Sequence, residues 1–182
     1  MSNIRIWGIS GKAGSGKDYI YRTYFKPRRF KNISLAWHFK IGAVGKGIAT
    51  YEEVFLTKPP HVRKYLQEEG TERGRMVYGE NLWTDTAKAW IKLWNEEWGI
   101  TDFIVPDVRF INEVNFIKEM GGVVFRIDAP NRSANSPLTP EQRLHKSETE
   151  LDDYTGFDYV IKNDYGDDPY GQLSLIFADR GM

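Results

Sequence analysis

The chain has 182 residues, 41% of them hydrophobic and 14% aromatic, and its 25 basic and 25 acidic side chains cancel to a formal net charge of zero. A single domain of this length buries roughly 70% of the surface its unfolded chain exposes, and zero net charge argues against broad nucleic-acid binding, which needs a basic surface. The absence of cysteine excludes a disulfide scaffold and a thiolate zinc site, and no run approaches a membrane span or a leader segment; a cytoplasmic protein with no membrane partner is expected.

The first predicted element is a buried strand over residues 4–9, followed by Gly8-Ile9-Ser10-Gly11-Lys12-Ala13-Gly14-Ser15-Gly16-Lys17-Asp18. Gly11, four residues and then Gly16-Lys17 is the spacing of a phosphate-cradling loop between a strand and a helix. Glycines let the backbone curl with its N–H groups inward, and the helix that follows begins with unpaired donors that favour an anion. Lys17 supplies a mobile cation for the transferring phosphoryl group. Position 18 departs from the usual pattern: Asp18 stands where a Mg²⁺-binding Ser or Thr is common. The bland alternative is a glycine-rich turn.

Helix one should run over 19–25, the basic stretch 26–31 should be a solvated connection, and a short strand is expected at 33–35. Pro59-Pro60 introduces a helix over 61–69 whose apolar side is Val62, Tyr65 and Leu66. Arg63 and Gln67 share another face at i, i+4, and Gly70-Thr71 bends the chain towards Arg75. Two cations and an amide converging there can hold a nucleoside monophosphate, with arginines on phosphate and Gln67 on a base edge; the same pattern also reads as a solvated helix face. A helix over 81–98 carries Trp83, Trp90, Trp94 and Trp98 at helical spacing and ends at Gly99; its tryptophans, Trp83 apart, read as core.

The strand 103–105 leads into Pro106-Asp107-Val108-Arg109, and ligands of open parallel sheets bind beyond the carboxyl ends of strands. Asp107 there can orient Mg²⁺ or accept a proton, and Arg109 can clamp a phosphate; an ion pair closing a loop is the plain alternative. A helix over 111–120 follows, then strands at 123–127 and 159–161. Residues 129–143 hold three prolines, two asparagines and two serines and read as an exposed loop, from which Arg132 and Arg143 could close over a phosphoryl group. Ser147 and Glu150 match a helix-capping box. Strands alternating with helices give an α/β fold with a parallel sheet.

Five stretches resemble the deoxynucleoside monophosphate kinases of tailed bacteriophages: GISGKAGSGKD at 8–18, LQEEGTERGR at 66–75 with Gly79 and Trp83, DVRFINE at 107–113, HKSE at 145–148 and VIKND at 160–164. A phosphate loop ending in Lys-Asp is itself a feature of that family. The resemblance implies a P-loop NTPase fold of adenylate-kinase type in one domain, with a helical monophosphate-binding region at about 38–98 and a lid at about 129–147. It implies ATP- and Mg²⁺-dependent phosphorylation of a deoxynucleoside monophosphate, and leaves a homodimer open. By motif, Gly11, Ala13, Gly14, Ser15, Gly16 and Lys17 would hold the donor phosphates, and Asn163 would lie near the adenine. A carboxylate beside a phosphate is repelled unless a cation lies between them, so Asp18 and Asp107 are expected to flank the metal together. Arg63, Gln67, Thr71, Arg75 and Trp83 would line the monophosphate site. Asp107 and Arg109 would sit between the substrates, with Arg132 and Arg143 in the lid. The chain departs at 35–40, where LAWHFK replaces the family's Phe-Ala-Asp-Pro-Leu-Lys, and at Ala129, near which relatives often carry a further arginine. The rival readings are a P-loop kinase for another small acceptor, such as phosphomevalonate or dephospho-coenzyme A, and a non-catalytic nucleotide-binding protein or an ATPase module acting on DNA.

Overall fold

A computed structural model describes residues 4–181. The apolar runs pair into a five-stranded, wholly parallel sheet in the order β2-β3-β1-β4-β5. The strands are β1 (Arg5–Ser10), β2 (Lys31–Asn32), β3 (Asp102–Val108), β4 (Val123–Asp128) and β5 (Tyr159–Lys162). Parallel strands need crossovers, and helices on both faces supply them. The expected α/β fold of P-loop type is the observed one.

Side chains along β1 alternate between two cores. Ile6 faces a cluster with Phe103, Val105, Phe116 and Ile117, while Trp7 and Ile9 face Phe25, Phe125, Ile161 and Phe177. Trp7 stacks on Phe177 at 4.7 Å and on Phe125 at 5.1 Å between ring centroids, which ties β1 and β4 to the last helix. A third cluster of Ala43, Ala49, Val54 and Val62 belongs to the segment between β2 and β3.

Helix α1 (Lys17–Ile20) continues as a π-turn (Tyr21–Phe25) and a 3₁₀ turn (Lys26–Arg28). Between β2 and β3 come α2 (Trp37–Gly45), a π-turn (Glu53–Thr57), α3 (Pro60–Gly70), a second π-turn (Thr71–Arg75), α4 (Met76–Tyr78) and α5 (Leu82–Trp98). After β3 lies α6 (Ile111–Glu119). After β4 come α7 (Pro130–Ala134), α8 (Pro140–Leu144) and α9 (Lys146–Thr149), and after β5 comes α10 (Pro169–Asp179).

Four expectations need correction. The short strand lies at Lys31–Asn32, not at 33–35, because only there does the chain run beside Phe103 and Ile104; Ile33 still donates to the Ile104 carbonyl at 2.8 Å. Among the α5 tryptophans, Trp98 is 63% exposed and Trp90 39%, since Thr84, Ala87 and Ile91 face the core instead. Residues 129–143 are not an open loop: α7 and α8 form there, and the capping box is Thr139 with Gln142. Ser147 lies inside α9, whose cap is the His145 ring accepting from the Ser147 N–H, while Glu150 pairs with Lys146 at 3.1 Å.

Candidate active site

The loop after β1 turns through Gly11, Gly14 and Gly16, all at positive φ. All three have a second reason to lack a side chain, and a Cβ at Gly11 would meet Ser15 Oγ at 2.7 Å and the Ile127 carbonyl at 2.9 Å. A Cβ at Gly16 would collide with the Asn163 amide, and one at Gly14 would meet Ser136 at 3.0 Å and the Arg132 carbonyl at 3.1 Å. The loop is therefore clasped by the end of β5 and by α7. Asn163 is buried and donates to the Ser15 carbonyl at 2.7 Å, so in this structure it braces the loop.

Strand β3, beside β1 in the sheet, supplies the middle of the site. Its pairing with β1 slips by one residue between Gly8 and Ser10, at Pro106-Asp107, where proline has no N–H to give to a ladder. The bulge aims Asp107 at the segment after β2: its carboxylate accepts from Ser34 Oγ at 2.6 Å and from the Leu35 and Ala36 N–H groups at 3.1 Å each. The departure from the family pattern at 35–40 leaves these backbone contacts in place.

A cavity of about 450 Å³ opens here. It is lined by Ala13, Gly14, Gly16, Lys17 and Asp18 on one side and by Arg63, Gln67, Thr71, Arg75 and Trp83 on the other, with Asp107 and Arg109 between. The structure brings these twelve sequence-named residues to one cavity. The cavity also takes in Lys40, Lys58, Phe39, Glu113 and Glu148, to which no role was assigned. Six cations face four carboxylates here, in a chain of zero formal net charge, so the cavity favours a polyanion.

Glu148, from the HKSE stretch, reaches into the mouth of the loop. Its side chain accepts from the Ala13 N–H at 3.2 Å and pairs with Arg109 at 2.6 Å, while its carbonyl accepts from Lys12 at 2.5 Å. Burial opposes its ionisation, but Arg109 and Lys17 outweigh burial and hold the carboxyl below the usual range. A carboxylate thus occupies a donor position of the kind that phosphate oxygens use. Lys17 is only 8% exposed and folds back on the Gly11 and Lys12 carbonyls at 2.6 and 2.8 Å. Burial, aided by Arg109, drives its ammonium well below the ordinary lysine range.

Asp18 turns away from the loop to Lys58 at 3.3 Å, with its side chain 66% exposed. Burial opposes its ionisation, but Lys58, Lys17 and Lys40 hold it below the usual aspartate range. Asp107 and Asp18 are thus engaged by separate partners, and the described residues hold no group of three or more His, Asp or Glu placed to bind a metal. Arg132 and Arg143, expected in a lid, are engaged too. Arg143 donates to the Ser133, Ala134 and Ser136 carbonyls at 3.2, 3.0 and 2.8 Å, and Arg132 to the Asn163 carbonyl at 3.3 Å. Arg143 lines an adjoining cavity of about 380 Å³, and neither arginine lines the larger one.

The segment around α8 is bonded across the cavity to α3 and the turn after it. Gln142 donates to the Pro60 carbonyl at 2.9 Å, Gln67 to the Gln142 carbonyl at 3.3 Å, and His145 lies 3.3 Å from Glu72.

No model of a known protein family matches the chain. A crystal structure of TT1252 from Thermus thermophilus superposes on it with a TM-score of 0.60, covering 98% of both chains at 14% identity, which shows a common fold. A protein of Acanthamoeba polyphaga mimivirus, named "Putative deoxynucleotide monophosphate kinase", is 31% identical over 176 residues, 86% of each chain. Identity at that level, kept across nearly the whole of both chains, places this protein in the deoxynucleotide monophosphate kinase family.

Proposed function

We propose that the protein transfers the γ-phosphoryl group of ATP to a deoxynucleoside monophosphate. The observation that carries this reading is the two-sided cavity. A phosphate loop forms one wall, a cation-and-amide surface with an aromatic residue forms the other, and Arg109 lies between them. In such a site a monophosphate oxygen attacks the γ-phosphorus in line, a new P–O bond forms, the bond to the β-phosphate bridging oxygen breaks, and ADP leaves. No covalent enzyme intermediate is needed; catalysis is positioning and charge neutralisation.

In this reading the N–H groups of Gly11, Ala13, Gly14, Ser15 and Gly16 and the Lys17 ammonium receive the donor phosphates, taking over from the Glu148 carboxylate. Arg63 and Arg75 take the acceptor phosphate, Trp83 offers a ring face and Gln67 a base edge. Thr71 completes that wall. Arg109 spans the phosphoryl group in flight, and Arg132 and Arg143 act in the lid, which excludes water and suppresses ATP hydrolysis. Asn163 supports the donor side through Ser15.

ATP chemistry brings Mg²⁺ with it, and Asp18 and Asp107 were the expected ligands. The fit is poor: three donors already fill most of the Asp107 acceptor positions, and Lys58 neutralises Asp18. No step is therefore routed through a protein-held metal.

The test is ADP formation from ATP and Mg²⁺ with each of the four deoxynucleoside monophosphates offered singly. Turnover dependent on at least one of them is expected. ADP formation with none of them overturns the reading and returns the site to another acceptor or to simple nucleotide binding.

A further inference from the structure

Glu113 sits in the first turn of α6 at 2% exposure, and nothing above gives it a task. Its two oxygens serve different walls of the cavity. Oε2 accepts from the Arg109 N–H at 2.5 Å and from the Phe110 N–H at 3.1 Å. Oε1 accepts from the Arg75 guanidinium, which belongs to the π-turn at Thr71–Arg75. The Oε2 contacts are those of a helix cap, and a cap is served as well by Gln as by Glu. A buried negative charge is costly unless it is matched, so the need for a carboxylate here comes from Arg75.

Arg75 is held from several directions. It donates to the Glu80 carbonyl at 2.8 Å and to Asn112 Oδ1 at 3.1 Å, and its Cζ lies 4.0 Å from the Phe110 ring centroid. Its Nε is buried with no acceptor among the described residues. The guanidinium is thus braced by the protein while one donor is left unmatched.

We infer that Glu113 is a positioning residue for phosphoryl transfer: one oxygen fixes the Arg75 guanidinium and the other fixes the Arg109 backbone, setting the spacing of two arginines across the cavity. The inference rests on the kinase reading and deepens it. The charged groups facing Glu113 are Arg75 from the π-turn and Asp107 from β3; Arg109 offers only its N–H, and Asn112 and Phe110 are neutral. Burial pushes the Glu113 carboxyl up to about 7, against the pull of Arg75 and the two N–H donors. Protonation would put a hydroxyl where the guanidinium needs an acceptor, so the brace loosens as pH falls through that value.

The experiment compares the parent, Glu113→Gln and Asn112→Ala across pH, reading kcat, the KM for each substrate and the melting temperature. For Glu113→Gln, the monophosphate KM should rise at least tenfold while the ATP KM stays within twofold. The acidic limb of the parent's kcat/KM near pH 7 should also disappear. The acceptor's own ionisation near pH 6 is common to both proteins and cancels in their ratio. Asn112→Ala should raise the monophosphate KM by a smaller factor and keep the limb. A lower melting temperature with both KM values unchanged, an equal rise in both, or a limb shared by parent and Gln variant overturns the inference. If Glu113→Gln does not fold, an unchanged monophosphate KM in Asn112→Ala overturns it. A parent with no acceptor-dependent turnover overturns the kinase reading instead. In that case tryptophan-fluorescence titration with the monophosphate decides the brace, and equal affinities in parent and variant reject it.

Discussion

Lys17 and Glu148 meet at the phosphate loop. The lysine bonds two carbonyls of its own loop, and a carboxylate from α9 stands at the Ala13 N–H. A donor nucleotide has to displace both, since a carboxylate and a phosphate oxygen repel each other at such range. Lys17→Ala is expected to lower kcat about a hundredfold, corresponding to about 3 kcal/mol of lost charge stabilisation, with an unchanged circular dichroism spectrum. Loss of the folded spectrum would make Lys17 a brace of the turn. Glu148→Gln should bind ATP more tightly without acceptor, by at least threefold in a calorimetric titration, and should turn over more slowly because Arg109 loses its partner. Weaker ATP binding would show that Glu148 supports the loop instead of competing for it. The glycine spacing made Lys17 legible in the sequence. Glu148 was not, because HKSE reads locally as the start of a helix, and its role depends on a contact 135 residues away.

At the scale of elements, the proposed lid holds two short helices, α7 packed onto Gly14 and α8 bonded to α3. Gln142 serves twice: its side-chain oxygen caps α8 through the Thr139 N–H at 3.2 Å, and its nitrogen reaches the Pro60 carbonyl. Removing it should loosen the lid more than it harms the fold, because the two side-chain hydrogen bonds lost are worth about 1 kcal/mol each. Gln142→Ala is expected to speed amide hydrogen exchange over residues 137–148, to shift the melting temperature by only a few degrees, and to raise acceptor-independent ATP hydrolysis. Unaltered exchange in that segment would mean that the packing on Gly14 holds the lid by itself. The sequence showed prolines and polar residues there, and composition of that kind marks a loop. Whether α7 and α8 form was decided by the surfaces they close against.

For the molecule as a whole, stability and activity pull Glu113 in opposite directions. Its folded value of about 7 lies above its ordinary 4.5, so the native state keeps that proton longer than the unfolded chain does. The contribution favours the fold most below about pH 4.5 and is lost as pH rises through about 7. The melting temperature of the parent relative to Glu113→Gln should therefore fall between about pH 5 and pH 8; parallel curves over that window would show an ordinary carboxylate. The sequence by itself determined the parallel sheet and its phosphate loop, because both are written in short-range patterns: apolar runs with two buried faces, and glycines at a fixed spacing beside a lysine. Helical spacing also put Arg63 and Gln67 on one face, the bend at Gly70-Thr71 pointed to Arg75, and the family resemblance added Thr71 and Trp83; all five line the cavity. Only the tertiary structure decided which charges meet: Glu113 with Arg75, Glu148 with Arg109, Asp18 with Lys58, and Asp107 with the backbone at 35 and 36. Those pairings join residues 38 to 72 positions apart, and no local pattern encodes them. They are set by how the crossovers fold back over the ends of the strands, where a charge taken out of water must find whatever opposite charge or N–H group the neighbouring elements present.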